Sequence, residues 1–146
     1  LFTGWHARQL RRLPSVKVRF SLDHTGAEAE VKAALDTARA AGLRDFGVYT
    51  LIGYDDMPKD ALYRLELVRG WGVWPNPMRY QPLDAASKNE YVLPGWTEHE
   101  LRRMMRYYSR LRWLEHVSYG DYQPDDMPLF AANDGRAAKL ESCAGL

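Results

Sequence analysis

Three stretches of the chain carry the hydrophobic pattern of β-strands. Residues 16–23 alternate, with valine, phenylalanine and leucine on one face and lysine, arginine, serine and aspartate on the other. This period of two predicts a strand. Residues 46–53 are almost continuously apolar and β-branched, which is typical of a parallel strand covered on both faces. Residues 73–80 form a poorer third candidate, because two prolines remove backbone donors.

A helix is predicted after each strand, and another before the first. Apolar residues recur at helical spacing in residues 29–41, again between Pro58 and Gly70, and most strongly in residues 98–116. Residues 1–15 are interpreted as the end of a preceding helix. The long segment between the third strand and the last helix is predicted to be a loop.

The starts of these helices have recognisable capping residues. Thr25 with Glu28, and Thr97 with Glu100, have the spacing of a capping box. For the helix between them, either of the aspartates at 55–56 can act as the N-cap. Sequence and spacing therefore predict where all three helices begin.

The order of these elements predicts an α/β fold. The strands start about 28 residues apart, the size of a βα unit, and such repeats imply a parallel sheet. A closed eight-stranded barrel needs about 250 residues, whereas this chain has 146. An open doubly wound sheet and a partial barrel both stay possible. We expect residues 1–118 to form the folded unit, residues 119–146 to be a loop-rich or disordered tail, and the chain to be a piece of a longer gene product.

Composition removes several classes of protein. The net charge is +1 and there is one cysteine, Cys143, so neither a disulfide framework nor a cysteine-rich metal site can form within the chain. No apolar run approaches the roughly 20 residues of a membrane span. These features predict a cytoplasmic protein that does not enter membranes.

Candidate chemistry lies at the carboxyl ends of the strands, where parallel sheets bind ligands. The polar face of the first strand carries Arg19, Ser21 and Asp23, which suggests a site. The same residues would also suit the solvent-facing side of an edge strand. Gly53 permits close approach of a ligand because it has no Cβ, although a simple turn is the favoured explanation for this glycine taken alone.

The order of motifs along these strands resembles one enzyme superfamily. Residues 47–56, followed by 61–73 and 77–83, resemble the later barrel strands of radical S-adenosylmethionine (radical SAM) proteins, and residues 18–23 resemble the strand before them. The resemblance covers roughly residues 1–115.

This resemblance implies a fold and a chemistry. The fold would be part of a partial (β/α)6 TIM-like barrel. In that family a Cys-x3-Cys-x2-Cys loop holds a [4Fe–4S] cluster, at which reductive cleavage of SAM gives a 5′-deoxyadenosyl radical that abstracts hydrogen from a substrate. Those cysteines are absent here. The cluster ligands are therefore expected outside this chain, which would contribute SAM and substrate contacts, bind no metal itself and be inactive alone.

The resemblance also implies which residues contact SAM. The family pattern Gly-x-Ile-x-Gly-x-x-Glu is matched loosely, since tyrosine replaces its first glycine and aspartate replaces its glutamate. Arg19 is assigned to SAM or the substrate. The positions assigned to SAM are Ser21, Asp23, Tyr49, Leu51, Gly53, Asp56, Met78 and Tyr80.

A second interpretation makes the chain a non-catalytic interaction module. Arginines alternate with aromatic residues in helix 98–116, a pattern that can bind nucleic acid or a partner protein. A solvated amphipathic helix is the simpler explanation, because acidic residues balance the charge of the chain. Open sheet edges would in either case favour self-association.

Overall fold

A three-stranded parallel sheet forms the centre of the molecule. The computed structural model describes residues 2–114 and 116–123. The strands are β1 (Val18–Ser21), β2 (Phe46–Ile52) and β3 (Trp74–Arg79), in the order β1-β2-β3. Both neighbouring pairs are parallel, so the predicted α/β class with a parallel sheet is confirmed.

Helices alternate with the strands as predicted. Two short 3₁₀ helices, Thr25–Ala27 and Leu111–Trp113, adjoin the second and fourth α-helices. The last helix is shorter than predicted, ending at Ser109 instead of residue 116. The α-helices are α1 (Gly4–Leu10), α2 (Glu28–Ala40), α3 (Pro58–Gly70) and α4 (Glu98–Ser109).

The core lies between the helices and one face of the sheet. Val48, in the central strand, is fully buried in a cluster with Leu35 of α2 and Val68 of α3. Ile52, at the end of the same strand, packs in a second cluster with Leu101 of α4. The apolar face of the sheet is therefore covered by helices, as the alternation in β1 predicts.

The opposite face of the sheet is exposed. Tyr49, Trp74 and Met78 project from it with 39%, 42% and 49% of their surface accessible. Within residues 2–114 and 116–123, no helix buries these side chains. The continuous apolar run of β2 predicts a strand covered on both faces, so the exposure of Tyr49 is a departure from that pattern.

One predicted helix start is confirmed and two are wrong. Thr97 and Glu100 form the expected capping box at α4. The Thr25–Glu28 box does not form, because the chain makes a 3₁₀ turn there and Ala27 becomes the N-cap of α2. The N-cap of α3 is Met57, not one of the aspartates at 55–56.

Tyrosines pack the segment after α4 onto that helix. Tyr122 is buried, and its ring lies 5.4 Å from the ring of Tyr107. The Arg103 guanidinium donates to the carbonyls of Tyr119, Gly120 and Tyr122. The segment predicted to be a loop-rich or disordered tail, residues 119–146, is therefore packed on α4 as far as residue 123. The rest of it, with Cys143, lies outside the described residues.

Candidate functional site

The exposed sheet face brings together most of the residues predicted to contact SAM. Strand register places Ser21 beside Tyr49 and Tyr49 beside Asn76. The next row towards the carboxyl ends pairs Leu51 with Met78. Because side chains alternate along a strand, these residues share one face. We call this surface the open face; its residues are Arg19, Ser21, Asp23, Tyr49, Leu51, Trp74, Asn76, Met78 and Tyr80.

A short hydrogen-bonded pair closes the carboxyl end of β1. The Ser21 hydroxyl donates to Oδ2 of Asp23 at 2.5 Å, and Oδ1 of Asp23 accepts the Leu51 N–H at 3.0 Å. Asp23 therefore extends the β1–β2 ladder by one side-chain bond. Both residues stay exposed, so their oxygens can accept hydrogen bonds from ligand hydroxyls.

Arg19 lies across the central strand at the other end of the open face. Its Nη1 donates to the Val18 carbonyl at 3.1 Å and to Oδ1 of Asp45 at 3.4 Å. Gly47 makes room for it, since a Cβ at that position would lie 2.9 Å from the Arg19 side chain and from Nδ2 of Asn76. Gly47 and Asn76 were not predicted from the sequence as site residues, although the register of an alternating strand would have placed both on this face.

Aromatic rings gather where β2 and β3 end. The ring centroids of Tyr54 and Tyr80 are 4.6 Å apart, and those of Tyr80 and Tyr91 are 5.3 Å apart. The Tyr80 N–H donates to the Ile52 carbonyl, which fixes this residue at the end of the sheet. Such a surface can stack on a flat ligand. Tyr54 and Tyr91 were also missed by the sequence reasoning.

Asp56 lies behind the open face, inside the protein. Its Oδ2 is 2.6 Å from Nη2 of Arg64, and the two side chains are 6% and 3% exposed. Its Oδ1 accepts the Gly53 N–H at 2.9 Å, and its carbonyl accepts from Nε1 of Trp96 at 2.8 Å. Arg64 also donates to the Leu51 carbonyl at 2.8 Å. The carboxylate assigned to SAM is thus occupied in holding the turn after β2.

Gly53 has a structural reason to be glycine. Its φ is +76°, in the left-handed region that side chains disfavour. A Cβ there would lie 3.1 Å from Cδ2 of Leu101 in α4. The turn after β2 therefore packs closely against α4, and Gly53 supports the open face from behind.

Two arginines of the arginine-rich helix form hydrogen bonds within the protein. Arg103 binds backbone carbonyls, as described above, and Nε of Arg102 donates to Glu98 at 2.6 Å. Arg106 and Arg112 are exposed. The nucleic-acid or protein interface predicted for this helix stays a prediction.

The described residues offer neither a metal-binding cluster of side chains nor a membrane-spanning helix. Residues 2–114 and 116–123 contain no group of three or more histidine, cysteine or acidic side chains that could hold a metal ion. None of the helices described is both long and apolar enough to cross a membrane.

Comparison with known proteins gives no match. No family model matches the chain, and neither a curated protein nor a solved structure matches it significantly. The open face is therefore the feature of the chain that bears on its function. That face offers hydroxyl and carboxylate acceptors at β1, exposed apolar groups at its centre, and a cluster of tilted and edge-on aromatic rings at the end of β3.

Proposed function

We propose that this chain is the SAM-binding half of a radical SAM enzyme built on a partial (β/α)6 barrel. The observation that carries the proposal is the open face. Polar side chains at the end of β1 and aromatic side chains after β3 lie at the carboxyl ends of parallel strands, where barrel enzymes bind their ligands. In the proposal this face is the inner wall of the barrel.

The position of helix α1 supports a barrel that continues beyond the free edge of β1. Helix α1 packs on α2, with Ala7 in a buried cluster that includes Val18 and Ala38. It begins beside the carboxyl end of β1, where the ring of Phe2 meets that of Phe20 at 5.3 Å. This is the position of a crossover helix fed by a preceding parallel strand. Such a strand would lie along the free edge of β1.

The residues of the open face fit the parts of SAM. Ser21 and Asp23 would accept hydrogen bonds from the ribose hydroxyls, while Met78 and Tyr80 would offer apolar contact and stacking to adenine. The residues described do not fit an iron–sulfur cluster, because none of them is a cysteine. The electron for SAM cleavage would therefore come from a cluster held by residues outside this chain.

The decisive experiment is to read the gene upstream of the Leu1 codon. An open frame that encodes Cys-x3-Cys-x2-Cys after a predicted strand is the expected result. The complete product, reconstituted without oxygen, should then release 5′-deoxyadenosine from SAM, and Asp23→Asn should lower that rate. A start codon or an unrelated sequence at that position would overturn the proposal.

A binding measurement on this chain alone tests the shared site. In the proposal the chain holds only part of the SAM contacts, so isothermal titration without iron should show weak binding or none. Tight binding would contradict a site that is divided between two halves of a barrel.

A further inference from the structure

A charged cleft lies beside the end of β3, on the helix side of the sheet. It is formed by α4 and the segment that precedes it, residues 80–97, and has a volume of about 520 Å³. That volume is within the range of small-molecule sites. Leu101 and Met105 contribute its apolar wall. The charged residues that line it are Arg79, Lys88, Glu90, Glu98, Arg102 and Arg106.

The inner part of the cleft holds two guanidinium groups against one carboxylate. Arg79, which is 6% exposed, donates to Glu98 at 3.0 Å and to the Tyr91 carbonyl at 2.7 Å. Nε of Arg102 donates to the same Glu98 carboxylate at 2.6 Å. Hydrogen bonding from Arg79 holds the pKa of Glu98 below its usual value. These three groups therefore leave one positive charge uncompensated at neutral pH.

The rim of the cleft adds further positive charge. Lys88 and Arg106 are exposed, and within the described part of the chain neither forms an ion pair. Arg106 lies one helical turn after Arg102, a spacing at which like charges repel. With Glu90 included, four cations face two carboxylates. The cleft thus has an excess of two positive charges.

We propose that this cleft binds a phosphate group. A rigid, carboxylate-held guanidinium at the base and two more flexible cations at the rim suit an anion with several acceptor oxygens. The excess charge matches a phosphate dianion. The site goes beyond the proposed SAM function and does not depend on it, although it lies at the carboxyl end of the sheet, as Ser21, Asp23 and Tyr80 do.

The first test is an NMR titration of the ¹⁵N-labelled chain with inorganic phosphate at constant ionic strength. Saturable shifts should centre on the amides of Lys88, Arg102 and Arg106. Lys88→Ala and Arg106→Ala should each weaken binding by about tenfold, because each removes a charge-assisted hydrogen bond. Both side chains are exposed, so these variants should fold. Arg112→Ala, at an exposed arginine outside the cleft, is the matched control and should bind as the parent does.

Two further probes distinguish the sources of the phosphate. Glycerol 1-phosphate binding more tightly than inorganic phosphate would identify a small phosphorylated molecule. Preferred binding of an oligouridylate, with steep salt dependence, would identify a nucleic-acid backbone.

Three results would overturn the proposal. They are a titration with inorganic phosphate that does not saturate, parent-like affinity in both cleft variants, and an equal loss in Arg112→Ala. The last would show that general positive charge, and not the cleft, attracts the anion. Absence of an upstream cysteine motif would refute the radical SAM proposal and leave this one intact.

Discussion

At the scale of single residues, the most deeply buried ion pair in the described chain is that of Asp56 and Arg64. The carboxylate joins the turn after β2 to α3, and it also accepts a hydrogen bond from Nε1 of Trp96 in the segment before α4. A buried charge is tolerated only when it is paired and hydrogen-bonded. Loss of one partner leaves the other charge without compensation.

Replacement of Asp56 should therefore destabilise the protein severely. Asp56→Asn removes the charge that balances Arg64, and we expect a loss of about 3–5 kcal/mol in the free energy of unfolding. The neighbouring Asp55 is exposed, so Asp55→Asn is the matched control, with an expected change within about 0.5 kcal/mol. Urea unfolding followed by circular dichroism measures both. Equal stability of the two variants would show that the pair adds nothing to the fold.

At the scale of secondary-structure elements, the spacing of hydrophobic residues along the chain predicted the order and type of the elements correctly. Strands and helices follow the periods of two and 3.6 because each buries one face against the others. Helix ends were predicted less well. The same Thr-x-x-Glu spacing occurs before α2 and α4, yet only α4 uses it. At α2 the chain tightens into a 3₁₀ turn first, and local spacing does not reveal that turn.

The two threonines give a direct comparison. Thr97 Oγ1 accepts the Glu100 N–H at 3.1 Å, and Glu100 accepts the Thr97 N–H at 2.9 Å. Thr97→Ala should therefore lower stability by about 1 kcal/mol. Thr25→Ala should have little effect, since that residue caps no helix with its side chain. The midpoints of urea unfolding check this, and a larger loss in Thr25→Ala would contradict the cap assignment.

The candidate site was predictable where it depends on strand alternation. Alternation places Arg19, Ser21 and Asp23 on one face of β1, and the structure puts them there. Gly53 and Asp56 differ, because their surroundings come from Arg64, Trp96 and Leu101, which are distant in the sequence. A glycine or an aspartate after a strand has the same local pattern whether it meets a ligand or the interior. Only the tertiary contacts separate these two cases.

At the scale of the whole molecule, the described chain has a sheet with helices on one face only. The Val18 N–H donates to the carbonyl of Asp45, just before β2, and the Leu22 N–H donates to that of Tyr49 in β2. By alternation, the N–H groups of Arg19 and Ser21 therefore point to the free edge of β1. An unpaired parallel edge beside exposed aromatic residues is a template for another strand. In the proposed enzyme that strand belongs to the missing half of the barrel.

Without that half, the chain should associate with itself. We expect sedimentation velocity to show larger species as the concentration of the isolated chain rises. Ser21→Pro should reduce association, because proline lacks the N–H that faces the free edge. Ser21→Ala keeps that N–H and should associate like the parent, which makes it the matched control. Ser21→Lys provides a second variant that protects the edge, should the proline disturb folding by circular dichroism.

The outcomes of this experiment separate the edge from the open face. Association that persists in both Ser21→Pro and Ser21→Lys would show that the copies do not meet through the free edge of β1. The contact would then be assigned to Tyr49, Trp74 and Met78, whose exposed side chains can also be buried against a second copy. A chain that is monomeric at every concentration would show that neither the free edge of β1 nor the open face mediates self-association. The free edge of β1 would then no longer support a missing strand, and the barrel proposal would depend on the open face alone.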